Sequence, residues 1–213
     1  MTSVAPGIAS SPIIGRAWEV GRLAELVGLG GGAAGNVLLG GDAGVGKSRL
    51  IAELAAVAED AGWRVLVGHC LDFGDSALPY LPFSEAFGRL AGEDPATARA
   101  LAETSPAISR LLPAHRLLAD AAEPQEATGR EALFNAVHGA LAELGRQVPL
   151  LLVVEDVHWA DQSTRELLSF LFTRQFGAGT PVAVVTSYRA DDLHRRHPLR
   201  PALGEWSRLP SVT

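Results

Sequence analysis

Four short apolar runs punctuate the chain, and helical spacing fills the intervals between them. Asn36 to Leu39, Arg64 to Cys70, Leu150 to Val154 and Val182 to Ser187 read as strands, the last two with the unbroken Leu/Val content of strands buried on both faces. Ahead of the first strand, Val20, Leu23, Leu26 and Val27 recur at helical spacing and predict a helix over 18–29, broken by Gly30-Gly31-Gly32-Ala33-Ala34-Gly35. A second helix is predicted from Lys47 to about Asp60, with Gly62 as its stop signal. Apolar strands alternating with segments long enough to cross over imply an α/β fold, a parallel sheet covered by helices on both sides. In such a sheet the chemistry lies at the carboxyl ends of the strands.

The Ala/Leu/Pro-rich stretch from Asp72 to Pro149 separates the second and third strands. Its pattern predicts helices over Phe83 to Leu90, Pro95 to Glu103, Ile108 to Leu112 and Arg130 to Leu144. Pro79, Pro82, Pro106, Pro113 and Pro124 favour several short helices over one long arm, hence a helical insert capping the sheet. A last predicted helix, Gln162 to Phe176, has Asp161 or Ser163 as its cap, and Ser163 with Glu166 has capping-box spacing. Residues 1–12, rich in Ser, Ala, Pro and Gly, read as a loose tail, and there is no internal repeat.

A length of 213 residues suits one such domain with its helical elaboration. The net charge of −6 argues against a surface that as a whole attracts nucleic acid or anionic membrane, and the basic stretch Arg189 to Arg200 reads as a solvated face. Cys70 is the single cysteine, so no disulfide framework is possible; it reads as a core thiol in a reducing compartment. With no secretory pattern and no apolar run near the ~20 residues that span a bilayer, a soluble cytoplasmic protein without a membrane partner is expected.

The run Gly41-Asp42-Ala43-Gly44-Val45-Gly46-Lys47-Ser48 fills the G-x-x-x-x-G-K-[ST] pattern between a strand and a helix. Its glycines let the backbone curl so that successive N–H groups face phosphate oxygens, and the following helix adds its amino-terminal partial charge. Lys47 is then expected on the β- and γ-phosphates and the Ser48 hydroxyl on Mg²⁺. The third strand delivers a second element, Glu155-Asp156, at its carboxyl end. Adjacent strand residues point to opposite sides, so one carboxylate is expected to serve Mg²⁺ and the other to orient or deprotonate water; the sequence does not assign which. His158 and Trp159 follow in the connecting turn, His158 read as making a structural hydrogen bond. At the end of the fourth strand, Thr186-Ser187-Tyr188-Arg189 brings polar groups and a charge beside the third strand, where Arg189 reads equally as a group that senses a γ-phosphate and as a surface arginine at a strand end.

Four segments together carry a family resemblance: Ile13-Ile14-Gly15-Arg16, the loop Gly40 to Leu50, Glu155-Asp156-Val157-His158-Trp159-Ala160-Asp161, and Thr186-Ser187-Tyr188-Arg189. With Leu78-Pro79-Tyr80-Leu81-Pro82-Phe83, they resemble the N-terminal ATPase domain of large LuxR-family transcriptional regulators, which are signal-transduction ATPases with numerous domains and AAA-like P-loop NTPases. The resemblance covers about Ile13 to Leu209. It implies a three-layer P-loop NTPase sandwich with a parallel sheet of order 5-1-4-3-2. It also implies adenine contacts from Ile14, Gly15 and Arg16, a nucleotide cradle from Gly41 through Arg49, and a sensor role for Arg189. The family's first acidic residue is commonly Asp on the metal side and its second the water-activating group; here the first is Glu155. Arg208 to Thr213 resembles the approach to the fifth strand, which leaves that strand expected incomplete. The chain is expected to be a domain, 13–213 with its insert at 72–149, that precedes winged-helix, helical-repeat and DNA-binding regions.

The expected function is an ATP-binding, slowly hydrolysing regulatory switch using ATP/ADP and Mg²⁺. Self-association is then expected through the full-length protein, and DNA binding only through a C-terminal domain. Two other readings stay open from sequence: an interaction module with a structural nucleotide, and the ATPase module of a cyclase- or kinase-linked protein.

Overall fold

A computed structural model describes residues 15–72, 74, 78–112, 127–177 and 179–213. The tail expected at 1–12, and Ile13 and Ile14 of the family-like segment, lie outside the described residues. The elements run α1 (Ala17–Leu26), β1 (Val37–Gly41), α2 (Lys47–Asp60), β2 (Arg64–His69), α3 (Leu81–Glu93), α4 (Pro95–Thr104) and a 3-10 segment (Pro106–Leu111). They continue with α5 (Ala127–Gln147), β3 (Leu150–Glu155), a 3-10 turn (Val157–Trp159), α6 (Gln162–Thr173), β4 (Val182–Arg189) and α7 (Leu199–Trp206).

All four strands are parallel and lie in the order β1-β4-β3-β2. Alternation along each strand divides the apolar residues between two layers. Leu66 of β2, Leu150, Leu152 and Val154 of β3, and Val182 and Val184 of β4 pack with α3 to α7. Leu151, Val153, Ala183, Val185 and Val37 face the other way, onto Leu23 of α1 and Leu50, Ile51, Leu54 and Ala58 of α2. The result is a helix–sheet–helix sandwich with β3 buried along its whole length. The helices of the insert share one apolar cluster with the sheet face they cover: Phe83, Phe87 and Leu90 of α3 and Val137, Leu141 and Leu144 of α5 belong to it.

The outer edge of β1 is not bare. Asn36 N–H donates to Ser211 O at 2.9 Å, Leu38 N–H to Thr213 O at 2.8 Å and Thr213 N–H to Asn36 O at 2.9 Å, with Asn36 and Val212 bridged in parallel. Residues 211–213 therefore lie along β1 at the fifth position of the order 5-1-4-3-2, joined to it by a single isolated bridge rather than as a strand.

Two differences from the sequence pattern have local causes. The helix expected to reach Phe176 stops at Thr173, because Arg174 is extended and its guanidinium reaches Asn135 at 2.6 Å, while Phe176 stacks flat on His138 at 4.6 Å. Within the basic stretch, α7 starts at Leu199, and its Leu199 and Trp206 are buried; the Trp206 indole N–H donates to Ser169 Oγ at 2.8 Å. At the start of α6 it is the Asp161 side chain that accepts from the Ser163 and Thr164 N–H groups, the capping chemistry that satisfies a helix's first free donors. No helix among the described residues is long and apolar enough to cross a membrane.

Candidate functional site

The ladder puts the chemistry-bearing strand ends side by side. Gly41 is in register with Arg189, and His69 with Glu155, so β1, β4, β3 and β2 end on one edge of the sheet. The 42–46 loop curls over that edge. Gly46 sits in the left-handed region at φ 91 and starts α2, a conformation that costs a residue with a Cβ about 1–2 kcal/mol. At Gly41 the requirement is space: a Cβ there would lie 3.2 Å from Val45 Cγ2 and 3.7 Å from Lys47 Cδ, along the path by which the lysine stem returns across the loop. The ammonium donates to Gly41 O at 2.6 Å and Asp42 O at 2.8 Å. Ser48 stands exposed in the first turn of α2, next to that turn's free N–H groups. Arg16 approaches the same end of the helix, its Nη1 3.6 Å from where a Cβ on Gly46 would stand.

The two carboxylates after β3 occupy different surroundings. Glu155 closes the strand and its side chain is 9% exposed; Oε1 lies 3.8 Å from His69 Nε2, and Oε2 is buried without a hydrogen-bond partner. His69 is itself held by Glu85 of α3, which accepts from its backbone N–H at 2.8 Å and meets Nδ1 at 2.9 Å. Asp156 is 32% exposed, sits at φ 56, and donates its N–H to Ser187 Oγ at 3.1 Å. Its Oδ1 lies 3.8 Å from His158 Nδ1 and 4.0 Å from Arg189 Nε. The left-handed backbone at Asp156 turns its carboxyl toward β4, and Glu155 stays on the β2 side.

His158 is wholly buried beneath this turn, with Nδ1 accepting from the Arg189 N–H at 3.4 Å and Nε2 3.4 Å from Asp192 Oδ2. Burial holds its pKa below the usual imidazole value, against the pull of the Asp156 and Asp192 carboxylates. The ring thus ties the β3 turn to the end of β4. Thr186 and Ser187 do not emerge to sense a phosphate. Both are buried, Thr186 Oγ1 donating to Val37 O at 3.4 Å and Ser187 Oγ accepting from Asp156. Tyr188 lies across Gly40, where an added Cβ would come within 2.5 Å of its ring. Arg189 alone of that run reaches the site edge, between Asp156 and Asp192.

The edge therefore assembles Lys47 and Ser48, Glu155 and Asp156, and Arg189 with the loop 41–46; of the expected nucleotide contacts, Gly15 and Arg16 are described and Ile14 is not. Arg49 is exposed on α2 and engaged in an interaction of its own. Among the described residues no group of three or more His, Cys, Asp or Glu side chains is placed to hold a metal ion. Residues that sequence reasoning passed over are His69, Glu85, Asp191 and Asp192; His69 ends β2, Glu85 stands on α3 and the two aspartates follow β4, each remote in sequence from a partner. Cys70 is buried, and burial pushes its thiol well above the usual range, an inert core group as the sequence suggested. A separate groove of about 830 Å³, with Gly30, Asn36, Pro149, Thr180 and Pro210 on its walls, lies at the opposite, amino-terminal ends of the strands.

A parallel sheet of this order, with a glycine loop leading from β1 into a helix and an acidic pair ending β3, defines a P-loop NTPase, a nucleotide-binding module. The family model for the AAA ATPase domain matches residues 12–185, and the chain belongs to that family. An uncharacterized protein of Rhizobium meliloti (strain 1021) is 33% identical over 216 residues, covering 92% of this chain and 21% of its own length. The chain thus spans about a fifth of that relative. Among solved structures, Cdc6p from Pyrobaculum aerophilum is similar in fold, with TM-score 0.52, 16% identity, and coverage of 98% of this chain and 47% of that one. RuvB from Thermotoga maritima also matches, at TM-score 0.38 and 14% identity over 92% of this chain and 42% of that one.

Proposed function

We propose that the chain is the ATP-binding, slowly hydrolysing switch domain of a LuxR-family transcriptional regulator. The observation that carries the reading is the convergence of Lys47, Ser48, Asp156, Glu155 and Arg189 on one sheet edge above a left-handed glycine at the start of α2. The resemblance of Glu155 to Asp161 and of Thr186 to Arg189 to that family's segments supports the regulatory assignment, as does a relative about five times the length of this chain.

The residues fit an Mg·nucleotide. Glu155 carries a buried carboxylate oxygen with no hydrogen-bond partner, and a buried polar atom left unpaired is costly until a cation or a donor faces it. Glu155 and Ser48 would hold Mg²⁺, which supplies neutralisation of charge on the transferred phosphoryl group. Lys47, already aimed into the loop, binds phosphate oxygens in exchange for the Gly41 and Asp42 carbonyls. Gly15 and Arg16 contribute to the nucleotide's base side, and the N–H groups from Gly44 to Arg49 line its phosphates. Asp156 is the accessible carboxylate and accepts a proton from, or orients, the attacking water. Arg189, between two carboxylates, offers its charge to the terminal phosphate.

Phosphate release under single-turnover conditions tests the reading. Wild type is expected to release phosphate slowly, while Asp156→Asn keeps Mg·ATP binding and releases phosphate about a hundredfold more slowly. Equal release by wild type and Asp156→Asn would remove Asp156 from the mechanism, and none from wild type would leave a nucleotide-binding module without turnover.

A further inference from the structure

The loop leaving β4 is tied to the P-loop twice. Ala190 N–H donates to Gly41 O at 3.2 Å, which prolongs the β1–β4 ladder. The second tie is of another kind: Ala43 N–H donates to the side-chain Oδ2 of Asp191 at 3.2 Å. A carboxylate thus sits on an amide of the phosphate loop. The Ala43 N–H is the main reason that the Asp191 carboxyl is held below the usual range; Lys47 and Arg189 add to it and desolvation opposes it. These donors and cations are the groups a terminal phosphate would use, and Lys47 meanwhile spends its own hydrogen bonds on the carbonyls of Gly41 and Asp42.

We infer that Asp191 is a specificity-determining residue of the nucleotide site, its carboxylate holding the cationic position beside Ala43, Lys47 and Arg189 that the third phosphate of a nucleoside triphosphate needs. The inference rests on the nucleotide-binding reading above. A triphosphate has to displace Asp191, and a diphosphate does not. Displacement frees the turn that also carries Asp192, whose Oδ2 lies 3.4 Å from His158 Nε2 and 3.9 Å from Arg189 Nη1. Occupancy of the third phosphate position is thereby felt at the β3 turn and along the loop that leads into α7. Because Asp191 is exposed, the repulsion is a solvent-screened one, of a size that salt reduces.

Calorimetric titration of wild type, Asp191→Asn and Asp191→Ala with Mg·ATP and Mg·ADP, at low and high NaCl, tests it. Both variants are expected to bind Mg·ATP about threefold to tenfold more tightly than wild type and Mg·ADP within about twofold, the gain shrinking at high salt. Without nucleotide, exchange of the Ala43 amide hydrogen should be slow in wild type and Asp191→Asn, whose side-chain oxygen still accepts, and faster in Asp191→Ala. Unchanged or weaker ATP binding in both variants overturns the inference. So does equal tightening for ATP and ADP, or a loss in Asp191→Ala that Asp191→Asn restores, which marks a mere strut. If wild type binds neither nucleotide, the nucleotide-binding reading falls and the inference with it; if wild type binds and the variants match it, the inference alone falls.

Discussion

Gly68→Ala puts the largest calculable strain on the part of the fold that presents Glu155. Gly68 lies in β2 beside Val154, on the sheet face covered by α3. A Cβ there would stand 1.9 Å from Pro82 O, 2.5 Å from Pro82 C and 2.7 Å from Pro82 Cα, all backbone atoms in the first turn of α3. Ordinary contact begins near 3.4 Å, so the helix must back away by about 1.5 Å. No rotamer change relieves a backbone clash, and the retreat opens the packing of Phe83 and Leu66, both essentially buried. Overpacking of this kind costs about 1–3 kcal/mol, and the upper end applies because the neighbour is main chain. In a domain of this size ~3 kcal/mol lowers the melting temperature by about 6–12 °C. The retreat also draws Glu85 from His69, so Mg·ATP binding should weaken as well as stability. Urea unfolding beside a Gly139→Ala control measures the effect: that helical glycine has nothing within 4 Å of its added Cβ, and the same substitution should stabilise by about 0.5–1 kcal/mol. A Gly68→Ala midpoint within about 0.5 kcal/mol of wild type would refute the packing argument.

Three further outcomes follow from single contacts. Leu54→Ala, which removes a wholly buried side chain between α2 and the sheet, should cost about 2–5 kcal/mol in denaturant unfolding, depending on how far the cavity collapses. Asp161→Ala deletes the cap of α6 and should cost about 1 kcal/mol, whereas Asp161→Asn should cost less because asparagine caps well; equal losses would argue against capping as the cause. The Asp94 carboxyl is held below its ordinary range first by its hydrogen bonds from Thr97 and then by Arg64, so its ionised form favours the folded state. The stability it contributes is present above the unfolded-state pKa and is lost as pH falls through the folded one, so Asp94→Ala should flatten the acid limb of a stability–pH profile.

The sequence made the local features plain and the long-range ones not. Lys47 to Asp60 appears as a helix at the bounds read from its spacing, and each apolar run is a strand, because period and glycine punctuation are written within a dozen residues. The helix at Leu199 was hidden under the charge of Arg195, Arg196 and Arg200, although Leu199, Leu203 and Trp206 keep helical spacing, two of them fully buried and Leu203 packed against the core. At the site, the P-loop and the acidic pair announce themselves as motifs. The grip of Glu85 on His69 and of Asp191 on Ala43 does not, since each joins elements that only the sheet order brings together. The burial of Thr186 and Ser187 was equally out of reach: which face of β4 is covered depends on residues of the β3 turn and on Val37 across the ladder.

Thermal unfolding with and without saturating Mg·ATP, in wild type and Lys47→Ala, tests the central claim most directly. At a free nucleotide concentration a hundred times the dissociation constant, binding adds about 2.7 kcal/mol, which in a domain of this size raises the melting temperature by about 5–10 °C. The account predicts that rise in wild type and its loss in Lys47→Ala, with both proteins melting alike in the absence of nucleotide to within a few degrees. A wild-type melting temperature indifferent to Mg·ATP, or a Lys47→Ala protein that keeps the full shift, would contradict it.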